Sequence, residues 1–132
     1  MKLKLKHLTV YLPYNIKAIH KNYKDEKGFL YYPLDLTERF YSMPTAILIN
    51  FKPILKPLSQ ITKEINQNGK TINIDLISFK LLGGRFLSEV LKEGKLIDEL
   101  PHGLVSVLYE YHFDVFGLIE NGLAIDINTL NN

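Results

Sequence analysis

Between Leu100 and Asn128 apolar residues recur at helical spacing. Leu104, Val107, Leu108, Tyr111, Val115, Leu118 and Ile119 fall on one face of a helical wheel, and Asn121-Gly122 supplies a stop. The pattern predicts a helix of about four turns that begins after Pro101 and forms one wall of the core. Further round the wheel, Val105, Tyr109, Phe113 and Phe116 widen the apolar arc. They leave only a narrow polar stripe of Ser106, Glu110, Asp114 and Gly117. A helix this apolar has to be nearly surrounded, either by its own domain or by another molecule.

The front of the chain has a different period. Lys2, Leu3, Lys4, Leu5 and Lys6 alternate, which predicts a strand with a lysine-coated outer face. Asn15 to His20 reads as a short strand. Beyond the polar turn KNYKDEKG, Phe29 to Tyr32 reads as its hairpin partner, and Met43 to Phe51 as a third strand. Pro53 and Pro57 exclude a regular helix between them. Ser59 is the expected N-cap of a short helix over Gln60 to Gln67, ended by Asn68-Gly69. Asp75 should cap a helix over Leu76 to Leu82, interrupted by Gly83-Gly84. A further helix is expected over Arg85 to Glu93, with Gly94 at its end. Strands come first and helices later, without a repeat or linker. The expectation is one α+β domain over residues 1–132, with a small, mostly antiparallel sheet from the N-terminal half covered by C-terminal helices.

Composition narrows the function classes. With 46% hydrophobic and 23% charged residues the chain is globular in type, and 132 residues suffice for a core without covalent staples. The absence of cysteine removes disulfides, thiol catalysis and thiolate zinc sites, and suits a reducing compartment such as the cytoplasm. The opening residues lack an apolar run of signal-peptide length, and no run approaches a membrane span, so a soluble protein is expected. Formal charge is +2 overall but unevenly placed: +5 over residues 1–30, +2 over 31–84 and −5 over 85–132. That polarity either draws the two ends together within one fold or marks a contact with an acidic partner.

Candidate chemistry is sparse. His7, His20, His102 and His112 include no helical metal-binding pair. On a continuous helix Glu110 and Asp114 share a face, whereas His112 points away from both. Asn68-Gly69-Lys70-Thr71 imitates the end of a phosphate loop, but Glu64 stands where that loop needs glycine. Gly83-Gly84-Arg85 fits a corner between helices better than a phosphate cradle. Ser42, Ser59, Ser78, Ser88 and Ser106 lack a nucleophile-elbow context. No catalytic residues, metal ligands or cofactor are implied.

Two surfaces remain. The first is the far flank of the long helix, where Tyr109, Phe113 and Phe116 beside Glu110 and Asp114 form a candidate partner-binding face, with self-association as one use. The second is the basic N-terminal third. There Lys4, Lys6, Lys21 and Lys24, interleaved with Tyr23, Tyr11 and Tyr14, combine phosphate-neutralising charge with stackable rings, as single-strand nucleic-acid binders do.

Three blocks carry a resemblance: KHLTVYLPYNIK at 6–17, KPILKPLSQITKEI at 52–65 and LPHGLVSVLYEYHFDVFGLIENGLAIDINTL at 100–130. In this order they resemble an uncharacterised family of small proteins from phages, prophages and other mobile elements of Bacteroidetes. This chain has Lys56 where the family commonly has arginine, which weakens any bidentate role, and Tyr111 where tryptophan is usual. The resemblance implies a mobile-element origin in a bacterial cytoplasm and transfers no activity. The function expected is a non-catalytic accessory protein that binds a host or phage protein or ribonucleoprotein. Inhibitors of host defence systems such as anti-CRISPR proteins work in this way. Nucleic-acid binding through the basic third is the alternative.

Overall fold

The computed structural model of the chain describes residues 2–20, 34–35, 44–67, 69–94 and 97–130. The expected strand at Phe29 to Tyr32, and with it Lys21, Tyr23 and Lys24, lies outside those residues. The lysine-leucine alternation at the start does not form a strand. Instead the chain opens with a short helix, α1 (Leu5–Thr9), whose first turn is tied by Lys4 N–H donating to His7 Nδ1 at 3.0 Å. Leu8, Tyr11 and Leu12 lie three and four apart and are all buried, so helical spacing prevails over a brief period of two. A 3-10 turn at Leu12–Tyr14 carries Pro13, and Asn15 in the left-handed region (φ 56°) redirects the chain into β1 (Lys17–His20).

β1 pairs antiparallel with β2 (Leu34–Asp35) and with β3 (Phe51–Leu55), and β3 pairs in parallel with β6 (Ile125–Asp126). The fold is therefore α+β with the strand order β2-β1-β3-β6, and the sheet is mixed rather than mostly antiparallel. The parallel pair arises because the chain's C-terminal end returns to the open edge of β3. The expected third strand starts late. Residues Pro44–Asn50 form a helix, α2, which Pro44 can open because its missing N–H is not needed there, and β3 begins at Phe51. Alternation along the strands separates two packing faces. Ala18 and Leu55 join Leu8, Tyr11, Leu12, Ile16, Ile47, Leu118 and Ala124 on one side, while Ile19, Ile54 and Ile125 meet on the other.

A second core lies beside the sheet. The helix expected over Gln60 to Gln67 is absent: a 3-10 turn at Leu58–Thr62 leads into a hairpin, β4 (Glu64–Gln67) with β5 (Lys70–Asn73). Gly69, between the two strands, takes φ +76°, the left-handed conformation that a tight hairpin turn requires. Asn73 then caps α3 (Ile74–Leu81) by accepting Leu76 N–H at 3.3 Å. Asp75 does not cap α3. Its carboxylate accepts Ser88 N–H (3.0 Å) and the Ser88 hydroxyl (2.6 Å), which holds the start of α4 (Leu87–Lys92). Gly83 and Gly84, both at positive φ, form the corner between α3 and α4, and Arg85 pairs with Glu93. Ile61, Ile74, Leu87, Val90, Leu100, Leu104, Leu108 and Phe113 close this second core.

The long C-terminal helix is the largest correction. The helix begins where expected, yet α5 (His102–Glu110) stops well before Asn121-Gly122. His112 N–H donates to Tyr109 O (3.0 Å) and Phe113 N–H to Leu108 O (2.9 Å), with His112 itself at φ 62°. This is a Schellman stop with histidine where glycine usually stands. Gly122 (φ +73°) ends a separate short turn, with Leu123 N–H donating to Leu118 O at 2.8 Å. Among the described residues no helix is long and apolar enough to cross a membrane.

Leu104→Ala, which empties a fully buried position in the second core, is expected to cost about 2–5 kcal/mol in urea unfolding. Leu5→Ala, at a position 51% exposed, should change stability by less than about 0.5 kcal/mol.

Candidate functional site

Three segments far apart in sequence, within residues 6–17, 52–65 and 100–130, meet at one point. Lys56, just past β3, donates its main-chain N–H to His112 O (2.8 Å) and accepts Asp114 N–H (2.8 Å), a parallel bridge that places it beside Phe113. Its ammonium donates to Tyr111 O at 2.7 Å and stands 5.7 Å above the Phe113 ring. From the first block, the Tyr11 hydroxyl donates to Phe113 O (2.5 Å) and receives Val115 N–H (3.2 Å). His112 Nε2 lies 2.6 Å from Tyr14 O. A carbonyl only accepts, so Nε2 carries the proton.

Burial sets the electrostatics of this junction. It lowers the Lys56 ammonium below its usual pKa and pushes the Tyr11 phenol well above the ordinary value. His112 is lowered chiefly by burial. The hydrogen bond to Tyr14 opposes that effect, and the Lys56 charge adds to it. Every one of these side chains is committed to a main-chain carbonyl, which is the arrangement of a clamp. A general acid or base would instead present its proton to an open cavity.

The candidate partner-binding residues do not form one face, because the helix that would align them ends at Glu110. Phe113 is fully buried in the second core. Asp114 is buried as well, and its carboxylate accepts Leu118 N–H (2.8 Å) and Ile119 N–H (2.9 Å), capping the next turn. Tyr109 and Phe116 are half-buried against the first core, Tyr109 edge-on to Tyr11 and Phe116 tilted against His7. Glu110 alone of the five is exposed. Of the alternative set, Lys4 and Lys6 are exposed, whereas Tyr11 is buried with its hydroxyl engaged. Among the described residues no three histidine or acidic side chains gather within reach of one metal ion.

Exposed apolar surface sits elsewhere. On α3, Leu76 is 62% and Leu81 43% exposed beside Lys80, while Phe79, 43% exposed, lies on another side against Phe86. A hollow of about 480 Å³ runs between Leu76, Ile77, Lys80 and Leu81. The same helix buries Ser78 completely. The Ser78 hydroxyl donates to Asp75 O (2.7 Å) and accepts Leu87 N–H (3.0 Å), so the interior side of α3 is held by hydrogen bonds while leucines face out. The signal in the sequence is IDLISFKLL, a short helix with more apolar residues than one face holds. A second depression, of about 540 Å³, separates the Leu58–Thr62 turn from α4. No family model, curated protein or solved structure matches this chain.

Tyr11→Phe leaves Val115 N–H without its acceptor and Phe113 O without its donor. It should cost about 1–3 kcal/mol in chemical denaturation.

Stability should also fall with acid. The folded pKa values of His112 and His7 lie below the ordinary 6.5, so the unfolded chain takes up more protons as pH drops through that value. The stability present above pH 6.5 is progressively lost below it. Urea melts of His112→Asn at pH 7 and pH 5 should show a shallower decline than the wild-type chain, with the His7 part remaining. An unchanged decline would assign the whole effect to other groups.

Proposed function

We propose that this chain is a non-catalytic binding protein of a phage or other mobile element that acts in the cytoplasm of its bacterial host. It occupies the surface of a host or phage protein, in the manner of inhibitors of host defence systems. The observation that carries the reading is the outer ridge of α3, where Leu76 and Leu81 stand in solvent beside Lys80 and line one hollow. Large apolar side chains grouped in this way gain free energy only when another apolar surface covers them. The matching surface is apolar with a carboxylate opposite Lys80. The mobile-element origin rests on the three-block resemblance.

A protein partner is favoured over nucleic acid by the fate of the aromatic residues. Lys2, Lys4, Lys6 and Lys17 are exposed, but Tyr11 is sealed in the first core and cannot stack on a base. A binding rather than an enzymatic role is supported by the clamp, because Lys56 and His112 each direct an N–H to a main-chain carbonyl, Tyr111 O and Tyr14 O.

In affinity capture from host cells, the full chain should retain one protein in near-stoichiometric amount. Leu76→Ser combined with Leu81→Ser should lose that protein while its thermal melt stays within a few degrees of wild type. Retention of the same partner by the double variant would remove α3 from the interface. Capture of nucleic acid alone, released by moderate salt and abolished by Lys4→Gln with Lys6→Gln, would establish the other reading.

A further inference from the structure

The depression between the Leu58–Thr62 turn and α4 has the chemistry of a ligand site, and it is separate from the α3 ridge in its lining. Its volume of about 540 Å³ falls within the ~300–1,000 Å³ of ordinary small-molecule sites. The lining is Leu58, Ser59, Ile61, Thr62, Ser88, Leu91 and Lys92. Ile61 is buried at its base, and Leu58 and Leu91 are half-buried against the same core, so the floor is apolar and already packed from beneath. The polar groups stand at the rim. The hydroxyls of Ser59 and Thr62 make no hydrogen bond among the described residues and are exposed, while Lys92 contributes the only charge in the lining. Among the described lining residues there is no carboxylate; Asp75 stands behind Ser88, bonded to its hydroxyl.

Both walls are braced independently of any ligand. On one side Gln60 N–H donates to Pro57 O and Lys63 N–H to Gln60 O, each at 3.0 Å, which holds the turn. On the other, Ser88 is held to Asp75 through both its main-chain N–H and its hydroxyl, and Leu87 N–H is held by Ser78. The cleft is therefore formed in the folded chain, and a ligand need not order it on binding.

An apolar floor with hydroxyls and one ammonium at the edge, and the nearby Asp75 carboxylate already satisfied by Ser88, fits a molecule with an apolar body and a single anionic end. We infer that this cleft binds a small amphiphilic carboxylate. Its alkyl or aryl body lies on Leu58, Ile61 and Leu91. Its carboxylate is met by Lys92 and by hydroxyl donors from Ser59 or Thr62. The assignment is independent of the proposed protein partner, whose contact lies on α3.

The test uses the full chain with octanoate as probe and octan-1-ol as its uncharged counterpart, followed by methyl NMR. Octanoate should produce saturable shifts at the Leu58, Ile61 and Leu91 methyls, and should bind more tightly than octanol. Lys92→Gln, at an exposed position that leaves the fold intact, should remove that preference, a loss of roughly threefold to fivefold, the weight of one exposed ion pair. Ser59→Trp, which fills the cleft from its rim, should abolish the shifts. The inference is overturned if octanoate causes no saturable change. It is equally overturned if the shifts fall on Leu76 and Leu81, or if Ser59→Trp binds as well as wild type. Recognition of a short peptide ending in leucine, with no octanoate binding, would make the cleft a peptide anchor and overturn the small-ligand assignment.

Discussion

The hydroxyl of Tyr11 stands where the two cores of this protein join. It donates to Phe113 O and accepts Val115 N–H, so one oxygen from the first block holds both sides of a buried residue in the last. Phe113 packs in the second core, whereas Tyr11 belongs to the first. The bridge from Lys56 to Phe113 then attaches the end of β3 to the same point. Buried main-chain groups left without partners cost more than their hydrogen bonds return when made. The three segments are therefore dependent on one another, and loss of any one exposes unsatisfied groups in the other two.

This junction also accounts for the left-handed histidine. A non-glycine residue at φ 62° carries a cost of about 1–2 kcal/mol, which the surroundings offset. His112 gains a hydrogen bond to Tyr14 O, and its own carbonyl accepts Lys56 N–H. The reversal at His112 turns Phe113 into the core and brings Asp114 to the start of the next turn. Asp114, which reads as part of a solvent stripe on an idealised helix, thus becomes structural.

Legibility varied along the chain for identifiable reasons. The start of α5 after Pro101 and the strand ending at His20 followed from local chemistry, namely proline at a helix entrance and an alternating apolar run bounded by turn residues. The hairpin at Gly69 was equally available, but a helical reading of the residues before it masked the turn signal. The end of α5 was not available. Glycine and asparagine advertise a left-handed residue, whereas histidine does so only when distant partners hold it there. The basic N-terminal face was visible as lysines, but the burial of Tyr11 beside it depends on contacts about a hundred residues away.

What the sequence determined by itself was therefore local: the entrance of α5, glycine turn positions, the α+β class and the absence of thiol chemistry. Apolar residues at helical spacing establish that a segment is to be covered, and by themselves they do not say by what. The tertiary structure decided which apolar residues are core and which face solvent. Phe113 and Leu76 both read as apolar positions on helices, yet one is fully buried and the other 62% exposed. The difference arises because Lys56, Tyr11 and Tyr14 reach the turn at His112 from the other two blocks, while nothing among the described residues closes over the outer face of α3.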